Sequence, residues 1–195
     1  MENKIKIVVG TSNPHKIKEM NEIAKGYNVE FVLPNSDNFD PDECGKDFIE
    51  NATIKAIEAS KISDGKFFLA DDSGLCVDFL NGAPGIHSAR YAETPEKRIE
   101  KLLEALVDDK KRNAHFVCAL CLVNKNGEII HKEEGRVFGK IAHKKAGING
   151  FGYDPIFIVD NLGKTMAQLS EEEKNTLSHR GQALKAMLQW VKVNL

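Results

Sequence analysis

The stretch His115–Gly139, "HFVCALCLVNKNGEIIHKEEGRVFG", decides the fold. Its first half is an apolar run that reads as a strand, and "NKNG" follows as a turn, because Asn and Gly accept turn backbone at little cost. "EIIHKEEGRVFG" then returns as a second strand. Strands joined this tightly pair antiparallel, so the sheet holding them is not built from strand-helix-strand crossovers alone.

The chain N-terminal to the hairpin has a different grammar. "KIKIVVG", Lys4–Gly10, is a short β-branched run and reads as a buried strand. Asn13 before Pro14 suits a helix N-cap followed by the first helical position. Ile17, Met20, Ile23 and Ala24 give that helix one apolar stripe, and Gly26 ends it. "VEFVL" reads as a further strand, and Asp47 caps a helix bearing Phe48, Ala52, Ala56 and Ala59. "KFFLA", a sharp "DDSG" and "LCVDFL" read as two strands meeting at a turn. Thr94-Pro95 opens a helix with Ile99, Leu102, Leu103 and Leu106 on one side.

Beyond the hairpin, the glycine-rich "AGINGFGYDP" leads into a strand "IFIV". Ser170 with Glu173 makes a capping box, and "SHRGQALKAMLQWV" is helical. Strand-helix units at the start and paired strands in the middle predict an α/β fold around a mixed sheet. At 195 residues, with no repeat or linker, residues 1–195 read as a single domain, large enough for a real core.

Composition narrows the function. The net charge of -2 gives no global electrostatic basis for binding nucleic acid or an anionic membrane. No apolar run approaches a bilayer span, and Met1-Glu2-Asn3-Lys4 runs straight into a strand, so the expected location is the cytoplasm. Cys118 and Cys121 form a C-x-x-C, but residues three apart on a strand face opposite ways, and no second pair completes a zinc site. All four cysteines read as small reduced hydrophobes.

Five segments are candidates for chemistry. In "GTSNPHK" the positions flanking Lys16 are His15 and Ile17, where a Walker loop needs Gly and a hydroxyl, so a Walker site is excluded. What remains is Thr11, Ser12 and Asn13 as donors, free N–H groups at a helix start, and one cation, a set that favours an anion. The same residues also suit a capped turn with a solvated Lys16. "ADDSG" places two adjacent carboxylates, Asp71 and Asp72, where only a cation or good donors offset their repulsion, and hard oxygens suit Mg²⁺. Asp42 and Glu43 in the loop "PDEC" offer more of the same. "GFGYDP" joins permissive glycines to two aromatic rings, one of which can stack on a base or pack in the core. "SHRGQA", with Lys174 ahead of it, supplies donors for a carbonyl or phosphate oxygen.

Taken in order, "TSNPHK", "FIENATIKA", "ADDSGLCVDFLNGAPGIHSARY", "GFGYDPIF" and "EEKNTLSHRGQAL" resemble the inosine/xanthosine triphosphate pyrophosphatase family across nearly the whole chain. The resemblance implies a long mixed sheet with two α/β lobes flanking a central substrate cleft. It also implies Mg²⁺-dependent cleavage of ITP, dITP and XTP at the α–β phosphoanhydride, to the monophosphate and pyrophosphate, by a homodimer. Carried over by position, Thr11, Ser12, Asn13, Pro14, His15 and Lys16 contact phosphate. Asp42, with Glu43 beside it, and Asp72 hold the metal, Asp72 is catalytic, and Ser73 touches substrate. Phe151, Gly152, Tyr153 and Asp154 form the aromatic-glycine motif, and Lys174, His179 and Arg180 complete the substrate contacts. Ser12 stands where relatives often have Gly, and Asp42 where many have Glu. Maf-like pyrophosphatases acting on modified pyrimidine triphosphates are the nearest rival, and a silent nucleotide-binding module is the rival of a different class. "GFGYDP" with "SHRGQA" favours the purine family over the first, and the acidic set argues against the second.

Overall fold

The computed structural model describes residues 4–35, 39–106 and 111–195, the side chain of His15 excepted. Among the described residues six strands form one sheet: β1 (Ile5–Val9), β2 (Val29–Val32), β3 (Phe67–Val77), β4 (Asn113–Asn124), β5 (Ile129–Ile141) and β6 (Phe157–Val159). They lie in the order β2-β1-β3-β4-β5-β6. β1 runs parallel to β2 and to β3, whereas β6 is antiparallel to β5, so the sheet is mixed as the hairpin requires. Between β4 and β5 the turn closes with the Gly127 N–H donating to the Asn124 carbonyl and the Asn124 N–H to that of Glu128.

The helices are α1 (Pro14–Ile23), α2 (Phe48–Ile62), α3 (Pro95–Ala105), α4 (Glu171–Leu177) and α5 (His179–Asn194). The starts of α2, α3 and α4 follow the expected chemistry. Asp47 accepts from the Glu50 N–H, Thr94 accepts from the Lys97 N–H ahead of Pro95, and Ser170 with Glu173 forms the full capping box. None of these helices is long and apolar enough to cross a membrane.

The chain divides into two compact units, residues 1–72, 118–135 and 180–195 in one, and 73–117 and 136–179 in the other. Each has its own apolar core. The first packs Ile7, Val9, Met20, Phe31 and Leu69 with Leu120, Leu184 and Leu188. The second packs Leu75, Val77, Leu102, Phe116, Ile141, Ile156 and Phe157.

One local expectation is overturned. "DDSG" is not a turn: β3 runs unbroken through Asp71–Gly74 for eleven residues. Adjacent Asp residues favour turns because their charges are easily solvated there, and here that preference loses to buried cations that pair with both carboxylates. The consequence is geometric. Successive side chains on a strand point to opposite faces, so Asp71 and Asp72 lie back to back in different surroundings.

Candidate active site

In the first unit, β1 leads into Gly10, which packs so closely on α2 that a Cβ there would lie 2.9 Å from the Lys55 carbonyl oxygen. The loop then turns on Thr11, whose Oγ1 accepts the Asn13 N–H at 3.1 Å. Ser12, Asn13 and Pro14 are exposed, and α1 begins with Lys16 on its first turn. The His15 side chain lies outside the described residues.

Lys16 is not simply solvated. Its Nζ donates to Asp71 Oδ1 at 2.8 Å, and on the other oxygen of the same carboxylate sits Arg180, with Nη2 at 3.1 Å. Arg180 also donates through Nη1 to Glu19 at 2.9 Å. Asp71 and Arg180 are both fully buried, as each exposes 1% of its surface. Burial opposes ionisation of Asp71, but Lys16, Arg180 and Lys55 outweigh it and hold the carboxyl well below the ordinary carboxylate range. Asp71 is thus a permanent anion that anchors two cations.

Asp72 faces the other way. Its Oδ1 accepts from Lys55 Nζ at 2.9 Å and its Oδ2 from Asn51 Nδ2 at 3.3 Å, and Lys55 also donates to Glu43 Oε1 at 2.8 Å. Burial raises the Asp72 pKa, Lys55 opposes the rise, Glu43 adds to it, and the net direction is upward. Asp72 is therefore the more basic of the two carboxylates. Burial alone would weaken the Lys55 charge, yet Asp72, Asp71 and Glu43 together keep it protonated. Asn51 Oδ1 also accepts the Gly45 N–H at 2.8 Å, which ties the acidic loop to the helix. Glu43 thus shares an ammonium with Asp72, while Asp42 is exposed and its backbone carbonyl accepts the Cys44 N–H.

Asn51 and Lys55 were not among the expected site residues. They occupy positions i and i+4 within the buried face of α2, alongside Phe48, Ala52, Ala56 and Ala59. Two polar residues inside an apolar stripe are the signal that could have found them. Glu19, one turn beyond Lys16, has no comparable marker.

In the second unit, the Ala142 N–H donates to the Ile156 carbonyl and closes a loop that carries Phe151–Asp154. Asp154 organises the tip: its Oδ2 accepts the Phe151 N–H at 2.8 Å and Lys174 Nζ at 2.7 Å. Gly150 has φ +75°, and a Cβ there would run into that carboxylate, so only glycine fits. The Phe151 ring is half exposed, with Lys174 Nζ 4.6 Å from its centroid. Tyr153 is buried and donates its hydroxyl to the Ser88 carbonyl, a core role. Gly152 sits between the two rings with φ +61°. His179 is buried and stacked on Phe116, with centroids 4.8 Å apart. Ser73, next to Asp72 in sequence, is half-buried.

Each unit thus gathers one set of candidate groups: Lys16, Asp71, Asp72 and Arg180 with Lys55 and Glu43 in the first, and Phe151, Asp154, Lys174 and His179 in the second. The first suits anionic oxygen and hard cations, the second a flat ring bearing polar edges. The model of the Ham1 family matches residues 7–190. The chain belongs to the Ham1 family. A dITP/XTP pyrophosphatase of Exiguobacterium sp. is 47% identical over 189 residues, covering 94% of this chain and 95% of that protein. Among solved structures, the HAM1 protein from Coxiella burnetii superposes with a TM-score of 0.86 at 42% identity, over 96% of this chain and 98% of its own. The Ham1 protein of Staphylococcus aureus gives 0.86 at 41%, over 97% and 100%. The Ham1 fold and the mixed α/β sheet coincide.

Proposed function

We propose that this chain hydrolyses the noncanonical purine nucleoside triphosphates ITP, dITP and XTP at the α–β phosphoanhydride, releasing the monophosphate and pyrophosphate and so cleansing the nucleotide pool. Family membership supports the reaction. The observation that carries the mechanism is the division of labour between neighbours on β3: Asp71 locked as an anion on Lys16 and Arg180, Asp72 left more basic beside Lys55 and Glu43.

In this reading Asp72 orients and deprotonates the attacking water, for which its raised basicity suits it. Lys16, held in place by Asp71, joins Thr11, Ser12, Asn13 and the N–H groups opening α1 in stabilising negative charge on the phosphates. Phe151 offers its exposed ring face to the purine, with Lys174 beside it. His179 donates toward the 6-keto oxygen, while Arg180 is held by Asp71 and Glu19, and an amino group at that position, as in ATP, would meet a donor with a donor and be rejected.

The residues present fit Mg²⁺. Asp72 and Glu43 are hard oxygen donors already gathered around one cation, the Lys55 ammonium. Mg²⁺ takes one or two protein carboxylates and fills its shell with water and phosphate. We assign Asp72 to it together with the Asp42-Glu43 pair, in which Glu43 already shares the Lys55 ammonium with Asp72. When bound, Mg²⁺ supplies charge neutralisation for the pyrophosphate leaving group. The enzyme works in this account as a cytoplasmic homodimer, and sedimentation of the purified chain tests the dimer. Turnover of ITP and XTP well above that of ATP and dTTP in a substrate panel is the expected result. Equal turnover of all four would contradict the assigned specificity.

A further inference from the structure

His179 and Arg180 are consecutive residues at the start of α5, about 100° apart around the helix axis, and they meet different partners. Arg180 is fixed by carboxylates. His179 is fixed by a ring: its imidazole lies 4.8 Å from Phe116, with 10° between the planes. Phe116 is itself wedged by Phe157, 4.6 Å away and tilted by 54°. All three rings are buried, with Phe116 contributed by β4 and Phe157 by β6. A stacked imidazole cannot rotate about its Cβ–Cγ bond without leaving the stack. Its edge nitrogens therefore stay in one plane, and a hydrogen bond made in that plane keeps one direction.

We propose that Phe116 is a specificity-determining positioning residue: by fixing the plane of the His179 ring, it sets the direction in which the imidazole donates to the 6-keto oxygen of the purine. The proposal rests on the base-reading role given to His179 above. A residue serving the core alone needs volume and not flatness, and leucine or methionine supplies comparable volume. A flat face is needed only if the orientation of the stacked partner matters. Donor direction is also what separates a keto from an amino group, because both occupy the same place on the ring and differ in hydrogen-bond polarity.

The test measures kcat/KM for ITP and for ATP in the full-length enzyme and in Phe116→Leu, His179→Ala and the double variant. Selectivity is a ratio, so a general loss of folded or active enzyme cancels from it. Phe116→Leu is expected to lower the ITP-to-ATP ratio by about 2- to 10-fold, the size of one lost stacked aromatic pair. In the His179→Ala background the same substitution should leave the ratio unchanged, because Phe116 acts through that ring. Phe116→Tyr, which keeps the flat face, should keep the ratio, and Phe116→Met repeats the comparison should the leucine variant not fold. An equal loss on both substrates in Phe116→Leu would overturn the proposal and leave Phe116 a packing residue. So would a fall in the ratio that persists without His179. If His179→Ala itself leaves the ratio unchanged, the base-reading role fails and takes the proposal with it. If His179→Ala lowers the ratio and Phe116→Leu does not, only the proposal fails.

Discussion

Replacing Asp71 by Asn and Asp72 by Asn should give opposite phenotypes, although the residues are adjacent. The Asp71 carboxylate is wholly buried and accepts from Lys16 and from Arg180, itself 1% exposed. Asp71→Asn leaves the buried guanidinium paired with the Glu19 carboxylate. Removing one partner of a buried ion pair costs about 3–5 kcal/mol, and the lower end applies because Glu19 remains. For a chain of this size about 3 kcal/mol lowers Tm by about 6–12 °C. Asp72 lies under the reverse linkage. Its pKa is raised in the folded state, so folding does not favour its ionised form, and with Glu43 still on Lys55 Asp72→Asn should cost less stability than Asp71→Asn while abolishing turnover.

The pH dependence follows with its sign. Asp71 has a depressed pKa when folded, so its contribution is present in full above the ordinary aspartate value, about 3.9, and drains away as pH falls from there toward the depressed value. The Tm gap between wild type and Asp71→Asn should therefore be widest near neutrality and shrink below about pH 4. Thermal unfolding at pH 7 and at acid pH, with turnover measured in parallel, makes the comparison. An Asp72→Asn variant that unfolds as early as Asp71→Asn, or an Asp71→Asn variant as stable as wild type, would refute the division between the two carboxylates.

Other outcomes follow from the same geometry. Lys55→Met leaves Asp72 and Glu43 without their shared ammonium, so its Tm in EDTA should fall by the equivalent of about 3 kcal/mol and recover partly with added Mg²⁺, as binding to the folded state requires. An unfolding curve indifferent to Mg²⁺ would count against the metal assignment. Gly150→Ala forces a Cβ against the Asp154 carboxylate at φ +75°, and should raise KM for ITP by about tenfold or more through the displaced loop, which steady-state kinetics would read directly. Removing divalent metal with EDTA should stop pyrophosphate release, and Mg²⁺ should restore it.

Much of this was legible in the residues. The "NKNG" hairpin, the caps at Asp47, Thr94 and Ser170, and the apolar stripes of the helices are local features, and local chemistry fixes them. The chemistry-bearing segments were also visible, because Asp-Asp, glycine-aromatic and His-Arg pairs are unusual enough to stand out. The path of "DDSG" was not. Whether two adjacent aspartates form a turn or stay in a strand depends on cations supplied by Lys16, Lys55 and Arg180, which are remote in sequence. For the same reason the separate fates of Asp71 and Asp72 could not be read from the dipeptide. Lys55 and Asn51 left a trace in the stripe of α2, but that trace gains meaning only once Asp72 is seen beside them. The stacking of His179 on Phe116 joins residues 63 positions apart and has no local signature.

The central claim is cleavage between the α- and β-phosphates, and ³¹P NMR of ITP turned over by the purified enzyme with Mg²⁺ tests it most directly. The account predicts that inosine monophosphate and pyrophosphate accumulate together with no orthophosphate, and that Asp72→Asn gives neither. Inosine diphosphate and orthophosphate as the first products would place the cut at the terminal phosphate and contradict the account.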